Sequence, residues 1–405
     1  MANQLLTISD ITNEGLDVLE NELVFTKRVR RDFDDRFGEE GAKIGDTINI
    51  RKPARFQGHR GQAIQIEDFV ETSVPLVLSQ QYQQAFSFTS KDLKLSLDMF
   101  SERVLHPAIV PVANMIDTDG TALFLQCYQE VGTPGSIPSQ LLTYLQAAQK
   151  LDEASVPDDG WTLVISPAMN ATIVDALKGL FNPQSMIGMQ NEKGLMGKET
   201  AGFDWFRSQN APSFTTGTQG GTPIVSAANQ TGSSITTSGW TASTKVLNKG
   251  DIVWFDGCYA VNYVGKQTYS TLAQWLVTAD VTSDSGGLAT IPISGPDGAG
   301  IILSGATQTA SASPTNSGTV HVQGGSAITS QRGLGFHKSF AAFGCADLPM
   351  PNGVDMGARK SDDQLGLSFR IVRAYDINTD RFPARCDLLG GWTVLYPQFG
   401  CRIAS

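Results

Sequence analysis

The stretch from Ser90 to Glu130 constrains the fold of this chain more than any other, because it carries one long helical pattern. Its apolar residues recur at helical spacing and predict an amphipathic helix that lies on a core; they are Leu93, Leu97, Phe100, Val104, Ala108, Val112, Met115, Ala122 and Leu123. An uninterrupted helix of this length would run roughly 60 Å, which suits a strut better than a compact domain. Pro107 and Pro111 each remove a backbone donor, so we predict a bend or break near His106. The part after Pro111 then forms the main spine, unless a pair of helices replaces the single one.

Composition and charge narrow the class of protein. A chain of 405 residues has room for two or three domains. The net charge of −10 argues against a nucleic-acid binder that works by global electrostatics. The N-terminal residues lack the pattern of a secretion signal, and no apolar run approaches the ~20 residues of a membrane span. The five cysteines are scattered without a CxxC pair, which predicts buried thiols in a reducing compartment.

Residues 1–35 are a candidate N-terminal arm. An amphipathic segment is followed by a basic run from Lys27 to Arg31 and then by acidic residues from Asp32 to Asp35. The apolar members of the segment are Ile11, Leu16, Leu19, Leu23 and Val24. The mixed charges are either a solvated face or a clamp on a neighbouring subunit.

A long hairpin is predicted over residues 44–88. Segments 44–53 and 68–89 alternate in the two-residue manner of strands, and the polar segment 54–67 between them is too hydrophilic to be core. The hairpin is basic first and acidic afterwards, and its charged residues are Arg51, Lys52, Arg55, His59, Arg60, Glu67, Asp68 and Glu71. These charges pair across the hairpin or stay solvated, or else they dock onto the complementary half of a neighbour's hairpin. On the second alternative, all eight are candidate subunit contacts.

Residues 139–210 predict a small mixed α/β unit. A helix over 139–154 is expected to bury one side, made of Leu142, Leu145, Ala148 and Leu151. A strand over 161–165 follows, and then a helix over 168–180 with Pro167 near its first turn.

The composition shifts sharply at Pro212, and residues 213–331 are rich in Gly, Ser and Thr. Helical periodicity is absent, and several short β-prone runs with frequent turn signals predict a small barrel or sandwich inserted into another domain. The predicted strands are 224–226, 251–255, 260–263, 275–279, 289–293, 300–303 and 320–322. Disorder is the alternative for 304–318. Aromatic residues here also raise a rival class, a carbohydrate-binding or hydrolytic protein, although such residues are more often barrel core; they are Trp240, Trp254, Tyr259, Tyr263 and Trp275.

From Leu365 the chain is strongly β-prone again. We predict three adjoining antiparallel strands, with turns at 378–380 and at Gly390-Gly391. The apolar stripe of the spine is the natural partner of this sheet.

Motifs that would carry chemistry are missing from the sequence. There is no GxSxG elbow, HExxH pair, Walker A loop or Rossmann GxGxxG. The run from Asp117 to Gly120 starts like a calcium loop, but the spacing and the closing glutamate are wrong. We therefore assign no catalytic, cofactor-binding or metal-binding residue, and we predict no enzyme and no cofactor.

Several segments together resemble a known family. Residues 88–117, 164–181, 200–212, 336–354 and 368–403, with 245–258 in the insertion, look like the coat-protein branch of tailed-bacteriophage major capsid proteins, which short-tailed Salmonella phages typify. The resemblance covers most of 1–211 and 332–405, and it rests on the order of these segments.

The resemblance implies an α+β chain with the Hong Kong 97-type capsid fold and an inserted β-barrel-like domain. Its expected parts are an N-terminal arm (1–35), an extended loop (36–88), a spine helix of the peripheral domain (89–135), the axial domain (136–212 and 332–364), the insertion (213–331) and a peripheral β-sheet (365–405). The implied function is self-assembly, through hexamers and pentamers, into the icosahedral head around double-stranded DNA. Implied partners are scaffolding and portal proteins and DNA held without sequence-specific contact, with no membrane. Assembly would occur in the host bacterial cytoplasm. A decoration or tail component of the same virus is the remaining alternative.

Overall fold

The computed structural model describes residues 8–33, 47–56, 58, 66, 71–89, 105–177, 200–362 and 366–405. These residues form an α+β protein, as predicted. Its α-helices are α1 (Ile8–Glu22), α2 (His106–Ala122), α3 (Leu141–Glu153) and α4 (Pro167–Leu177). Its strands are β1 (Arg30–Phe33), β2 (Thr47–Lys52), β3 (Thr72–Val77), β4 (Gln80–Thr89), β5 (Glu130–Val131), β6 (Trp161–Ile165), β7 (Phe203–Arg207), β8 (Ser213–Thr215), β9 (Gly221–Val225), β10 (Ser234–Trp240), β11 (Lys245–Leu247), β12 (Ile252–Val261), β13 (Thr268–Val277), β14 (Val281–Thr282), β15 (Ala289–Ser294), β16 (Val320–Val322), β17 (Thr329–Phe336), β18 (Ala341–Ala346), β19 (Met356–Asp362), β20 (Leu367–Arg373), β21 (Arg381–Val394) and β22 (Gly400–Ala404).

The chain divides into two compact units. The first comprises Met1–Ile50, Ser73–Thr121 and Ala341–Thr393, and the second comprises Arg51–Thr72, Ala122–Phe340 and Val394–Ser405. None of the described helices is long and apolar enough to cross a membrane.

The first unit is built on a sheet in the order β1-β18-β21-β20-β19, with β4 pairing to β21. Strands β1 and β18 are parallel, whereas β4 runs antiparallel to β21 over ten residue pairs. Helices α1 and α2 share one apolar core with this sheet; its members include Leu16, Leu19, Ile109, Val112, Ile116, Phe369, Ile371 and Leu388. The predicted pairing of the spine stripe with the C-terminal strands is therefore confirmed for β20 and β21. The apolar face of α1 also packs inside its own chain.

The spine helix is shorter at its C-terminal end than predicted. Pro107 lies in the first turn of α2, where its missing N–H has no helical partner to lose, and Pro111 lies inside the helix. The helix ends at Ala122, a 3₁₀ turn covers Leu123–Gln126, and Glu130 is already in strand β5. The prediction of helix up to Glu130 was wrong, because Glu130 and Val131 pair with β22. The predicted helix from Ser90 to Val104, and hence the predicted bend, lies outside the described residues.

The second unit contains a mixed sheet in the order β5-β22-β17-β6-β7, with β8 pairing to β17. The predicted strand 161–165 and the helices on either side of it are confirmed where they are described. The predicted face of α3 is wrong in part. Its buried residues are Tyr144, Ala147 and Leu151, whereas Leu142 and Leu145 are exposed.

Residues 221–322 form a six-stranded sheet in the order β16-β12-β13-β15-β10-β9. The two edge strands approach each other, since the Val225 N–H donates to Gly318 O and Ile224 pairs with Thr319. The sheet therefore closes into a barrel. The predicted strands 251–255 and 260–263 are a single strand, β12, and 300–303 contributes one isolated bridge, Gly232 to Ile301. The segment 304–318 is described as loops with a bridge from Ala310 to Ala260.

Two predictions about the C-terminal strands are corrected. Gly390 and Gly391 are not a turn, because β21 runs straight through them. A Cβ on Gly391 would lie 2.0 Å from Val77 O, so the glycine permits close backbone packing inside the sheet. The third predicted strand, which was to start after this turn, is divided: its first residues belong to β21, and its end is β22, which pairs with β17 and β5. The turn at 378–380 is confirmed, and there the Asn378 N–H donates to Asp376 Oδ1.

All five cysteines are free and buried, as predicted.

Candidate subunit-contact site

Strands β2 and β3 form a two-stranded sheet at the base of the predicted hairpin. Arg51 and Glu71, on opposite sides of it, form an ion pair at 3.6 Å between Nη1 and Oε2. Their side chains are 80% and 47% exposed. An exposed pair of this kind contributes at most about 1 kcal/mol, so either partner can exchange it for another counter-ion at little cost.

Two large apolar side chains beyond β2 are exposed. Phe56 is 62% and Ile66 is 91% exposed. Exposed apolar side chains within a charged segment are typical of contact surfaces. The remaining candidates, His59, Arg60, Glu67 and Asp68, lie outside the described residues.

The other two basic candidates have a partner in the same chain. Lys52 Nζ lies 3.6 Å from Asp297 Oδ1, and the Arg55 guanidinium contacts Asp297 Oδ2. Asp297 belongs to a 3₁₀ turn between β15 and β16. Sequence reasoning missed this acceptor, because a Pro-Asp-Gly run predicts a turn and says nothing about a distant partner.

A buried ion cluster lies elsewhere in the second unit, around Glu130 of β5. Arg332 Nε on β17 is 3.0 Å from Glu130 Oε1, and Arg402 Nη2 on β22 is 2.9 Å from Oε2. Both nitrogens of the Arg402 fork also donate to Gly250 O at 3.0 Å. The cluster joins three strands of the mixed sheet to a loop of the barrel. Burial lowers the pKa of Arg332, while Glu130 opposes that shift. The sequence signal that could have predicted this cluster was a charged residue within each of the three strands, namely Glu130, Arg332 and Arg402.

The first unit has its own buried carboxylate, Asp117 of α2. Its oxygens accept hydrogen bonds from the N–H groups of Val24 (2.5 Å), Phe25 (3.2 Å) and Thr26 (3.0 Å), and from Thr26 Oγ1 (2.6 Å). Asp117 therefore fixes the chain just after α1 to the spine helix.

The rest of the run from Asp117 to Gly120 is used in the same way. Tyr82 Oη on β4 donates to Asp119 Oδ2 at 2.9 Å. A Cβ on Gly120 would lie within 3 Å of the Phe25 and Trp392 rings, so this glycine makes room for both. The motif that starts like a calcium loop is a packing junction.

Four of the five barrel aromatics make packing contacts, whereas Tyr259 is 40% exposed. Trp240 and Trp275 are core residues of the barrel, and Tyr263 lies under the Arg55 guanidinium at 3.5 Å. Trp254 stacks on His321 with ring centroids 5.6 Å apart. No group of three His, Cys, Asp or Glu side chains in the described ranges could hold a metal ion.

The exposed pair of Arg51 and Glu71 and the exposed side chain of Ile66 fit a structural protein that contacts copies of itself. The family model described as "P22 coat protein - gene protein 5" matches residues 1–404. The chain belongs to the P22 coat protein family. It is a major capsid protein, a subunit of an icosahedral shell, and its place is the virion capsid. The α+β architecture of the described residues, with few helices and many strands, agrees with the capsid fold class that the resemblance implied.

Solved structures are similar at low identity. A chain of Mycobacterium phage Che8 is 12% identical with a TM-score of 0.45, covering 95% of this chain and 92% of that one. A chain from the asymmetric unit of the bacteriophage PhiM1 mature capsid is 10% identical with a TM-score of 0.44, covering 94% and 86%. A chain from the capsid of cyanophage P-SCSP1u is 9% identical with a TM-score of 0.40, covering 94% and 88%. No curated protein matches the chain.

Proposed function

We propose that the shell is built by docking the hairpin of one subunit onto a second copy of the chain. The charged hairpin residues are its contacts, except Lys52 and Arg55, which pair with Asp297 of their own chain. The observation that carries the proposal is the 91% exposure of Ile66, in the same hairpin as the exposed ion pair of Arg51 and Glu71. Covering such apolar side chains stabilises an interface, at about 25 cal/mol per Å² of apolar surface. The exposed charges then set the register.

The division of labour expected from the resemblance belongs to the same proposal. Residues 1–35 are the arm, 36–88 the extended loop, 89–135 the spine helix, and 365–405 the peripheral sheet. Residues 136–212 and 332–364 make the axial domain around the insertion. The chain has no enzymatic activity in this proposal. It belongs to the branch of the family that short-tailed Salmonella phages typify.

Partners beyond the chain itself are scaffolding and portal proteins, and double-stranded DNA packaged without sequence-specific contact. The net charge of −10 supports this last point, because a negative shell does not adhere to its genome. Assembly takes place in the cytoplasm of the host bacterium.

Ile66→Asp tests the docking surface. We expect a folded monomer with an unchanged unfolding midpoint, and no shells by electron microscopy when the chain is expressed with a scaffolding partner. Val264→Asp is the matched control, because Val264 is a similarly exposed apolar residue, at 67%, on a barrel turn. Normal shells from Ile66→Asp would contradict the proposal.

Arg51→Glu tests the charged part separately. Reversing Lys52 and Arg55 together with it would also break their contacts with Asp297, so the single substitution is the cleaner variant. We expect fewer closed shells from Arg51→Glu. Adding Glu71→Arg restores the ion pair across the hairpin with reversed charges, and assembly should recover in part only if that pair is what assembly requires. Failure of the double variant to recover assembly would point to a partner on another copy.

A further inference from the structure

One carboxylate of the barrel receives both basic side chains at the hairpin base. Lys52 and Arg55 are 10% and 21% exposed at the side chain, and each also lies over an aromatic ring. Lys52 Nζ is 4.8 Å from the Tyr396 centroid, and the Arg55 guanidinium carbon is 3.5 Å from the Tyr263 centroid. Cation–π contacts of partly buried groups add to the ion pairs.

Asp297 is held in place by neutral groups that do not belong to the hairpin. Tyr263 Oη donates to Oδ2 at 2.8 Å, and Gln398 Nε2 donates to Oδ1 at 2.9 Å. The Asp297 N–H in turn donates to Gln398 Oε1 at 3.1 Å. The backbone φ of Asp297 is +53°, a conformation that Asp and Asn tolerate better than most residues. The acceptor is thus preorganised by the barrel and by the segment before β22.

Asp297 is the counter-ion for a group of nearby cations. A third cation, Lys266, donates to Tyr263 O at 2.9 Å. Burial lowers the pKa of Arg55 to about 10, and burial together with nearby Arg55 lowers that of Lys266 to about 8. Among the described residues, Lys52 and Arg55 both direct their ion pairs to Asp297, so removal of that charge leaves two partly desolvated cations in excess.

We infer that Asp297 is a positioning residue for the hairpin: through it, the inserted barrel fixes the base of the hairpin that docks onto the next subunit. The assembly part of this inference rests on the proposed function, whereas the contact within the chain does not. The insertion then contributes to assembly from inside its own subunit, by limiting the directions in which the hairpin can leave it.

Limited trypsin digestion of the unassembled full chain tests the contact. Trypsin does not cleave after Lys52, because Pro53 follows, but the bond from Arg55 to Phe56 is a substrate once the base detaches. Asp297→Asn keeps the backbone preference and removes the charge. We expect cleavage after Arg55, followed by mass spectrometry, to become about tenfold faster, since proteolysis follows the population of the open state.

Asp280→Asn is the matched control. Asp280 pairs with Lys245 at 2.7 Å on the same barrel and has no part in the hairpin base. Equal cleavage rates for Asp297→Asn and Asp280→Asn would overturn the inference. If Asp297→Asn fails to fold, Tyr263→Phe removes one positioning hydrogen bond and leaves the charge, and we expect about threefold faster cleavage; an unchanged rate would count against the inference.

Electron microscopy of the same variants separates the two proposals. Faster cleavage in Asp297→Asn with malformed or fewer shells supports both. Faster cleavage with normal shells supports the contact between Asp297 and the hairpin base but contradicts its role in assembly. If the wild-type chain forms shells in which the hairpin contacts no neighbouring subunit, the docking proposal fails. The cleavage rates still decide whether Asp297 holds the hairpin base.

Discussion

Asp117 and Glu130 are both almost fully buried carboxylates, one in each unit, and they are stabilised in different ways. Asp117 is surrounded by neutral donors, three of them backbone N–H groups. Glu130 lies between two guanidinium groups. Burial of a charge requires hydrogen bonds or a counter-ion, and the chain uses one solution in each place.

This difference determines which of the two buried carboxylates can be exchanged for an apolar residue. Guanidinium groups are side chains, so Glu130, Arg332 and Arg402 can in principle be exchanged together for apolar residues. Buried ionic triads often tolerate such an exchange with little loss. The N–H groups of Val24, Phe25 and Thr26 belong to the backbone, and no substitution removes them. Asp117 therefore has no simple substitute.

The largest effect is expected for Glu130→Ala. The substitution leaves Arg332 and Arg402 buried without their counter-ion, and we expect the free energy of unfolding to fall by about 4 kcal/mol. Urea denaturation of the unassembled chain at pH 7 measures it. The matched variant is the triple replacement Glu130→Leu, Arg332→Met and Arg402→Leu, which should recover most of the loss. A triple variant as unstable as the single one would show that the cluster does more than neutralise itself.

Asp117→Ala should cost about 3 kcal/mol of unfolding free energy. Three N–H groups lose their acceptor, but that of Val24 is partly accessible, so water limits the loss there. Thr26→Val removes only the Oγ1 donor and should cost about 1 kcal/mol. Thr118→Ala, an exposed neighbour on the same helix, is the control and should change stability by less than about 0.5 kcal/mol. The contrast with Glu130 fails if Asp117→Leu restores wild-type stability.

The parts of the fold that could be predicted from the sequence are those with local signals. Strand β6 and the helices beside it carry local signals, such as Pro167 at a helix start, and their positions were predicted closely. The run of β20 against the spine helix was also predictable, because both stripes are apolar at the right period.

Other features depend on contacts that the local pattern does not contain. Gly390-Gly391 satisfies the rule for a turn, but the Phe343 ring and the backbone of Val77 occupy the space of their missing side chains. Helix α3 offers two stripes of similar apolarity, and packing buries the one with Tyr144. The partners of β22 cannot be read from its own five residues.

The charged sites follow the same division. The hairpin candidates were found because their charges cluster in sequence, and the structure adds that Lys52 and Arg55 contact Asp297. Their partner, more than 240 residues away, had no signal of its own. Asp117 was noticed only as part of a failed calcium pattern, because the backbone donors that it serves leave no trace in the sequence.

A smaller effect than those of Glu130→Ala and Asp117→Ala concerns Asp251, whose carboxyl is influenced by Arg402 and Glu130 of the buried cluster. Its Oδ2 accepts hydrogen bonds from the N–H groups of Asn248 (2.7 Å) and Gly217 (3.0 Å), while Oδ1 is buried without a donor among the described residues. Burial raises the pKa of Asp251 to about 6, against the hydrogen bonds and the attraction of Arg402. Asp251 is thus the one carboxylate of the comparison with neither a full set of donors nor its own counter-ion.

A raised carboxyl pKa means that the folded chain binds this proton more tightly than the unfolded chain, so the contribution of Asp251 to stability rises as the pH falls from 7 through 6. The difference in unfolding free energy between the wild type and Asp251→Asn should move in favour of the wild type by about 1.3 kcal/mol from pH 7 to pH 5. Urea denaturation of both chains at the two pH values measures it. Asp280→Asn is the control: its partners lower the pKa of Asp280, so Asp280 stays ionised throughout and the corresponding difference should be flat. A flat difference for Asp251→Asn as well would mean that Oδ1 has found a donor, and that all three carboxylates are equally well satisfied.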